Sequence, residues 1–556
     1  MKMRYVFSLY FLALLSMGGF HLAITPVFEA FDENAHYSYI RQIAYQGRIP
    51  MRGESFIDQV VADYQGPVSY SSGKPPFDGG MVYHKFFKRQ DLVDSYIIQY
   101  RQNILPASFA PSLIENWQSQ HPPLYYALMA PILRVVDQEP LVTQIFVLRL
   151  VSYLLALSGM ALGILAILQR EQAGVPTRNF PLLLGFVIYP FMMPMFFPEF
   201  ARIGNDSLCV FLVGLLAYLL SKWSTDDSGV KLSIAIGTTL GFGLLTKAFF
   251  IPIAVAIFMF IFMRSLIERP AGEKVAKMQL RFLYLLLPTM AIGGGWYVYN
   301  YLALGDWSGS NVAIELARKG GFLENISNTF SLSTFLRGVA TSLVTFVWGG
   351  TWSLTHLPHV LYIPLLVAIT WVFGAFCLQL RKVPFTDTLW LSVWLIFFFG
   401  AGISWHAIVN IALGIEGNAN TPGWYLHILL PFLAPAIGAG TLSIVRNLKS
   451  KLIFLGFLAY SVIFYLVAIW SQLALFYGCA IKGDDKQYVF QSNLMCFDHT
   501  PQMIDHLSLL GYPSLGVVGF SGWVVCSVLL VIELKRLSAN SSDLNGLFSQ
   551  CKTRDK

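Results

Sequence analysis

The sequence predicts an all-α, polytopic membrane protein, and three observations carry that prediction. Charged residues make up 12% of the chain against 55% hydrophobic, with a mean hydropathy of +0.57. A soluble domain carries about 25% charged residues. Uncharged apolar runs of about 20 residues, the length that crosses a bilayer, recur along the chain. Lys and Arg gather in alternate short loops between those runs, as the positive-inside rule requires. These loops account for the net charge of +7, so no nucleic-acid partner is needed to explain it.

The first run, Tyr5 to Ile24, follows Lys2 and Arg4 and has no small-residue cleavage site after it. It reads as a retained anchor rather than a cleaved signal. Further spans are expected near 143–168, 180–198, 207–222, 232–246, 248–263, 282–303, 358–379, 387–408, 424–443, 452–475 and 511–533. That makes a bundle of about 12 helices. With the N-terminus inside, the inner loops hold Arg170 and Arg178; Lys222 and Lys231; Arg264, Arg269, Lys274, Lys277 and Arg281; Arg381 and Lys382; and Arg446, Lys449 and Lys451. Lys535 and Arg536 follow the last span. Two apolar segments do not fit as spans. If Phe335 to Trp352 crossed, Arg381 and Lys382 would face outward, so a re-entrant or interfacial helix is expected there. Pro122 to Val136 is too short to cross and reads as interfacial.

The chain thus divides into a first module (1–303), an outer loop (304–357), C-terminal helices (358–535) and an inner tail (536–556). The first outer loop, 26–142, mixes Pro, Gly and aromatics with both charge signs and is expected to be folded. The outer loop 476–510 holds Cys479 and Cys496, for which a structural disulfide is expected. Cys209, Cys377 and Cys526 sit in apolar runs and read as small buried hydrophobes. No internal repeat is evident, which disfavours a secondary transporter.

Three constellations could carry chemistry. Just past the first span comes Phe28-Glu29-Ala30-Phe31-Asp32-Glu33-Asn34-Ala35-His36. Ionisable groups at the mouth of a span are costly and usually functional. If a helix starts here, Asp32 and His36 share a face, and a carboxylate beside an imidazole can take a proton from a hydroxyl. The plain alternative is that Asp32 caps the helix. The second constellation runs from Glu199 through Arg202 to Asp206-Ser207, on the same side. Asp206 could cap the next helix, and Arg202 could meet a lipid head group. The third is Thr246-Lys247 between apolar runs, where Lys247 either snorkels or meets a phosphate. His121-Pro122-Pro123-Leu124-Tyr125-Tyr126 could shape an acceptor cleft. Arg149 could pair with an acid of the first loop. Glu416 and Trp424-Tyr425 sit at the mouth of a later span, and His406 reads as a packed histidine. No histidine shows metal-ligand spacing, and Gly293-Gly294-Gly295 reads as a helix-packing site rather than a phosphate loop.

Taken in order, these motifs resemble those of integral-membrane glycosyltransferases of the C-type fold. That group includes protein O-mannosyltransferases and the lipid A aminoarabinose transferase. The matching stretches are Asp32-Glu33 with His36 and Gly47-Arg48-Ile49-Pro50, then His121 to Tyr126, Arg149-Leu150, Arg202 to Ser207, Leu245-Thr246-Lys247 and Trp296-Tyr297. They cover roughly the first 300 residues; the C-terminal half matches only in being polytopic. The Asp-Glu-x-Ala-His form looks closest to bacterial relatives. Gly204-Asn205 and Gly295 depart from the usual pattern.

The resemblance implies an inverting transferase in a bacterial plasma membrane, working on its outer side. It would take a sugar from a polyprenyl-phosphate donor to a hydroxyl on a glycan, lipid or protein. Asp32 would be the base, with Glu33 orienting it or binding sugar. Asp206 would hold the acceptor or share the base role. Arg202 and Lys247 would meet the leaving phosphate, and His36, His121, Tyr125 and Arg149 would line the substrate site. A divalent metal between Asp32 and Asp206 stays open. The competing classes are a flippase or transporter for a lipid-linked sugar, and a non-catalytic envelope scaffold.

Overall fold

A computed structural model describes residues 2–70, 80–172, 179–223, 229–267, 274–310, 315, 324, 327–328, 330–385, 387–412, 422–482 and 495–539. Glu416, Arg178 and Arg269 lie outside the described residues, as does the tail beyond 539.

Helix α1 (Lys2–Ile24) leads into α2 (Glu33–Gln46). The first loop then carries β1 (Phe56–Asp58), α3 (Gln59–Ala62), α4 (Tyr83–Phe86), α5 (Gln90–Tyr96), β2 (Pro111–Glu115) and α6 (Leu124–Val135). Next come α7 (Leu141–Gln172), α8 (Asn179–Met192), the short α9 (Phe196–Phe200), α10 (Asp206–Lys222), α11 (Gly229–Leu244), α12 (Phe250–Ile267), α13 (Lys274–Thr289) and α14 (Gly295–Leu304). The rest is α15 (Leu332–Val347), α16 (Ile363–Leu380), α17 (Thr388–Ala412), α18 (Leu430–Ile444), α19 (Leu448–Phe476), α20 (Thr500–Leu510) and α21 (Pro513–Ala539).

Among the described residues, nine helices are long and apolar enough to cross a membrane. This fits a multi-pass membrane protein that sits in a lipid bilayer. The short antiparallel pair β1–β2 is the one sheet among the described residues.

The two segments expected to lie across the membrane surface are short helices. At about 1.5 Å per residue, the 12-residue α6 falls well short of a hydrocarbon core of about 30 Å. Helix α15 turns Leu332, Leu336, Val339 and Leu343 outward, one stripe at helical spacing. Its end feeds a strap, Trp348–His356, that crosses to the first loop. The Trp352 N–H donates to the Glu29 carbonyl (3.0 Å).

The described part of the first loop is folded, as its composition implied. Arg41 of α2 and Asp58 of β1 form a fully buried ion pair (2.6 Å) that fixes the sheet on the helix. Cys479 and Cys496 are joined, with Cα atoms 5.8 Å apart. Cys209 is buried as expected, but Cys377 is exposed on the outside of α16 and Cys526 is half-buried on α21. An apolar helix surface that faces lipid keeps a thiol as comfortable as a core does, so an apolar run alone does not settle burial.

Small residues set the helices that carry the candidate site. A Cβ on Gly214 of α10 would lie 2.1 Å from the Gly159 carbonyl oxygen of α7. Only glycine on both sides lets these backbones touch. The contact brings the Arg149 helix against the Asp206 helix.

Candidate active site

The chain reverses between α1 and α2, and that turn presents Asp32. Its backbone is left-handed (φ 56, ψ 11), a conformation costing a non-glycine residue about 1–3 kcal/mol. Its carboxylate makes no capping bond to α2, so the cap reading fails. Instead Oδ1 accepts from the Trp117 indole N–H (2.8 Å). Asp32 is half-buried. Burial pushes its carboxyl above the ordinary range, against the pull of Trp117, Arg202 and Lys247.

Glu33 departs from the expected role of orienting the base or binding sugar. It is fully buried, and both its oxygens are gripped by the Arg149 fork (2.7 and 2.5 Å). It also accepts from the backbone N–H groups of Phe28 (3.1 Å) and Ile203 (3.3 Å). Arg149 donates further to the carbonyls of Thr25 and Pro26 (2.6 and 2.7 Å). Arg149 therefore pairs with a first-loop acid as expected, but the pair is a clamp on the chain reversal and not a substrate contact.

The expected Asp32–His36 dyad does not form. The His36 Nδ1 hydrogen-bonds with the Tyr126 hydroxyl (2.9 Å), and burial pushes its imidazole well below the usual range. Tyr125 is likewise structural. Its fully buried hydroxyl meets Ser152 (2.7 Å) and accepts from the Gly204 N–H (3.1 Å), which positions the turn before Asp206. A side chain at Gly204 would strike the Arg202 guanidinium, which explains that departure from the expected pattern.

Asp206, Arg202 and Lys247 come together in one buried network. Lys247 Nζ meets both Asp206 oxygens (2.7 and 3.0 Å), and Arg202 meets Oδ2 (3.0 Å). Arg202 also holds Glu199 (2.6 Å) and the Phe31 carbonyl (3.0 Å). Lys247 therefore neither snorkels nor stands free, and Arg202 does not reach out to lipid. Burial opposes ionisation of Asp206, but the two cations outweigh it and hold its carboxyl low. Burial pushes Glu199 up to about 7. All three network members lie close enough to act on the ionisation of Asp32.

The His121 stretch docks on the lysine stretch through the Leu124 N–H and the Leu245 carbonyl (3.0 Å). The half-buried His121 ring lies 6.5 Å from that of His36, and burial pushes it down to about 3. From the C-terminal half come Tyr425, whose ring lies 4.5 Å from Lys247 Nζ, and Trp424, stacked on Phe31 at 4.1 Å. Sequence reading gave these two no more than a place at the mouth of a later span. It placed Glu199 at the start of the second constellation but gave it no role of its own beside Arg202. It passed over Glu29 within the first constellation without a role, and it missed Trp117.

Several buried polar atoms here have no hydrogen-bond partner: those of Asn34, Gln118, Ser119, Asn205, Ser207 and Trp424. Such atoms are rare in folded proteins and mark places where a polar ligand gains bonds. Among the described residues no group of three or more acids, histidines or cysteines is arranged to hold a metal ion. Both Asp206 oxygens are engaged by cations.

No protein-family model and no curated protein matches this chain.

Proposed function

We propose that this protein is a membrane glycosyltransferase of the inverting C-type kind. It moves a sugar from a polyprenyl-phosphate donor to an acceptor hydroxyl, in the synthesis of an envelope glycan or glycolipid. One observation carries the reading. A half-buried acid whose carboxylate has a single hydrogen bond among the described residues, Asp32, stands within electrostatic reach of two fixed cations, Arg202 and Lys247. In this reading α8, α10 and α11 cross as well, which with the nine long helices gives 12 crossings. The positive-inside pattern supports a site on the outer face of the membrane, which this reading takes to be a bacterial plasma membrane.

The acceptor hydroxyl gives its proton to Oδ2 of Asp32. Its oxygen bonds the anomeric carbon as the bond from that carbon to the phosphate oxygen breaks, with inversion. The polyprenyl phosphate leaves with the electron pair. Charge that is already in place stabilises it, since Arg202 and Lys247 need no reorganisation. Between Asp32 and Asp206, electrostatics favours Asp32 as base. An acid held low by two cations is a weak base, and one pushed up by burial is a stronger one. Asp206 is the counter-ion that keeps both cations aimed. A flippase would instead carry its ionisable groups near the bilayer midplane. These groups sit at helix starts and in loops, which favours an enzyme.

The test is transfer of radiolabelled sugar from a panel of polyprenyl-phosphate sugars, with membrane extract as acceptor. Transfer by wild type, lost in Asp32→Asn, is the expected result. A folded protein that binds these lipids and transfers from none of them would favour a flippase.

A further inference from the structure

We propose that Trp117 is the positioning residue of Asp32: its indole N–H holds Oδ1 and leaves Oδ2 as the atom that meets the acceptor. The inference rests on the reading of Asp32 as the base, and its geometry stands on its own. Trp117 opens a short helical turn, Trp117–Gln120. The residue before it, Asn116, is fully buried and fastened three ways. Its backbone N–H donates to the Ser55 carbonyl (2.9 Å). Its side-chain oxygen accepts from the Gln118 N–H (3.0 Å). Its side-chain nitrogen donates to the Ala35 carbonyl (3.1 Å), in the first turn of α2.

Two consecutive residues therefore clasp α2 at its start, Asn116 on the backbone and Trp117 on the carboxylate. The backbone of Asp32 is left-handed and its side chain is not tied to α2. Without the indole, nothing among the described residues hydrogen-bonds that carboxylate. Packing alone would be served by any ring; the 2.8 Å contact needs the N–H.

The N–H donation favours the carboxylate over the acid, so its loss raises the pH at which Asp32 takes up a proton. The other charged or titratable groups around Asp32 are Arg202, Lys247, Asp206, Tyr425 and Tyr126, and none of them changes in the test. A hydrogen bond to a charged group corresponds to about one pH unit or somewhat more.

The experiment reads Asp32 directly and needs no substrate. Full-length protein in detergent is labelled with a water-soluble carbodiimide and an amine across a pH series, and each carboxyl is followed by peptide mass spectrometry. Wild type is compared with Trp117→Phe and with benzothienylalanine at position 117, which keeps the indole shape but lacks the N–H. If Trp117→Phe fails to fold, the isosteric replacement carries the test. The expected result is a rise of about one unit in the labelling midpoint of Asp32, with the exposed Asp91 and Asp94 unmoved. An unmoved Asp32 midpoint in the isosteric variant, or an equal shift at Asp91, overturns the proposal. In the transfer assay the acid limb of the pH–rate profile should move up by the same amount. If wild type transfers nothing from any donor, the enzyme reading fails, while the labelling result still decides whether Trp117 governs Asp32.

Discussion

Asp32 and Glu33 are chain neighbours with opposite surroundings. Glu33 is fully buried, matched by a bidentate arginine and further satisfied by two backbone N–H groups. Asp32 is half-buried, keeps one hydrogen bond and sits on a strained backbone. The first arrangement maintains the second. The Glu33–Arg149 clamp reaches Thr25, Pro26, Phe28 and Ile203, so it freezes the whole reversal between α1 and α2. Strain of this kind persists only where the surroundings over-determine the chain. An acid pair in a sequence is therefore not a pair in structure: one member holds the turn, and the other stands at its tip as the proposed base.

The sharpest way to break this comparison is Glu33→Gln. It leaves the Arg149 charge buried without a carboxylate, and breaking such a pair costs about 3–5 kcal/mol. Chemical unfolding in detergent should show that loss. A variant as stable as wild type would mean that the clamp does not hold the turn. Next in size is Asp32→Asn. General-base help is worth about 10² to 10⁴ in rate, so transfer should fall at least about a hundredfold with stability unchanged. A stability loss as large as that of Glu33→Gln would erase the distinction between the two acids.

The sequence made much of this readable, for reasons that also mark its limit. Apolar runs and basic loops report the bilayer directly, so the helices were found, and the shortness of α6 was foreseen from its length. Asp32, Arg202, Asp206 and Lys247 were all marked as ionisable groups at the ends of spans, where charge is costly. Which of them pair was not readable. Lys247 and Asp206 lie 41 residues apart, and Arg149 and Glu33 lie 116 apart. Such contacts follow from helix packing, through approaches like Gly159 on Gly214, and not from local pattern. The left-handed backbone of Asp32 and the indole of Trp117 belong to the same class of long-range fact.

Lys247→Ala sharpens the comparison at the second acid. It removes the closer of the two cations on Asp206 and one of the two proposed phosphate ligands. Losing a charge-assisted hydrogen bond of about 1.5–3 kcal/mol should weaken donor binding by about 10- to 100-fold. Titration with a polyprenyl phosphate reads this. Unchanged donor affinity would leave Lys247 as a counter-ion alone.

The smallest effect is expected at a third acid, where the substitution made at Glu33 meets a different environment. Glu29 is buried, and among the described residues it accepts from neutral groups alone. These are the Thr351 hydroxyl (2.6 Å), the Tyr83 hydroxyl (2.6 Å) and the Ser353 N–H (2.8 Å). It thereby ties the Trp348–His356 strap to the first loop. In Glu29→Gln the amide oxygen keeps Thr351 and Ser353, and the Tyr83 hydroxyl turns to accept from the new NH₂. No charge is stranded, so stability at neutral pH should stay within about 1 kcal/mol of wild type. The pH dependence should change instead. Burial pushes the Glu29 carboxyl above its ordinary value, so the folded state holds this proton more tightly than the unfolded chain does. Its contribution to stability is therefore largest at low pH and declines as pH rises from the ordinary glutamate range through the raised folded value. The glutamine variant lacks that decline, and its stability should gain on wild type as pH rises above the ordinary glutamate range. A Glu29→Gln protein that lost as much stability as Glu33→Gln would show that this carboxylate, too, answers a buried cation.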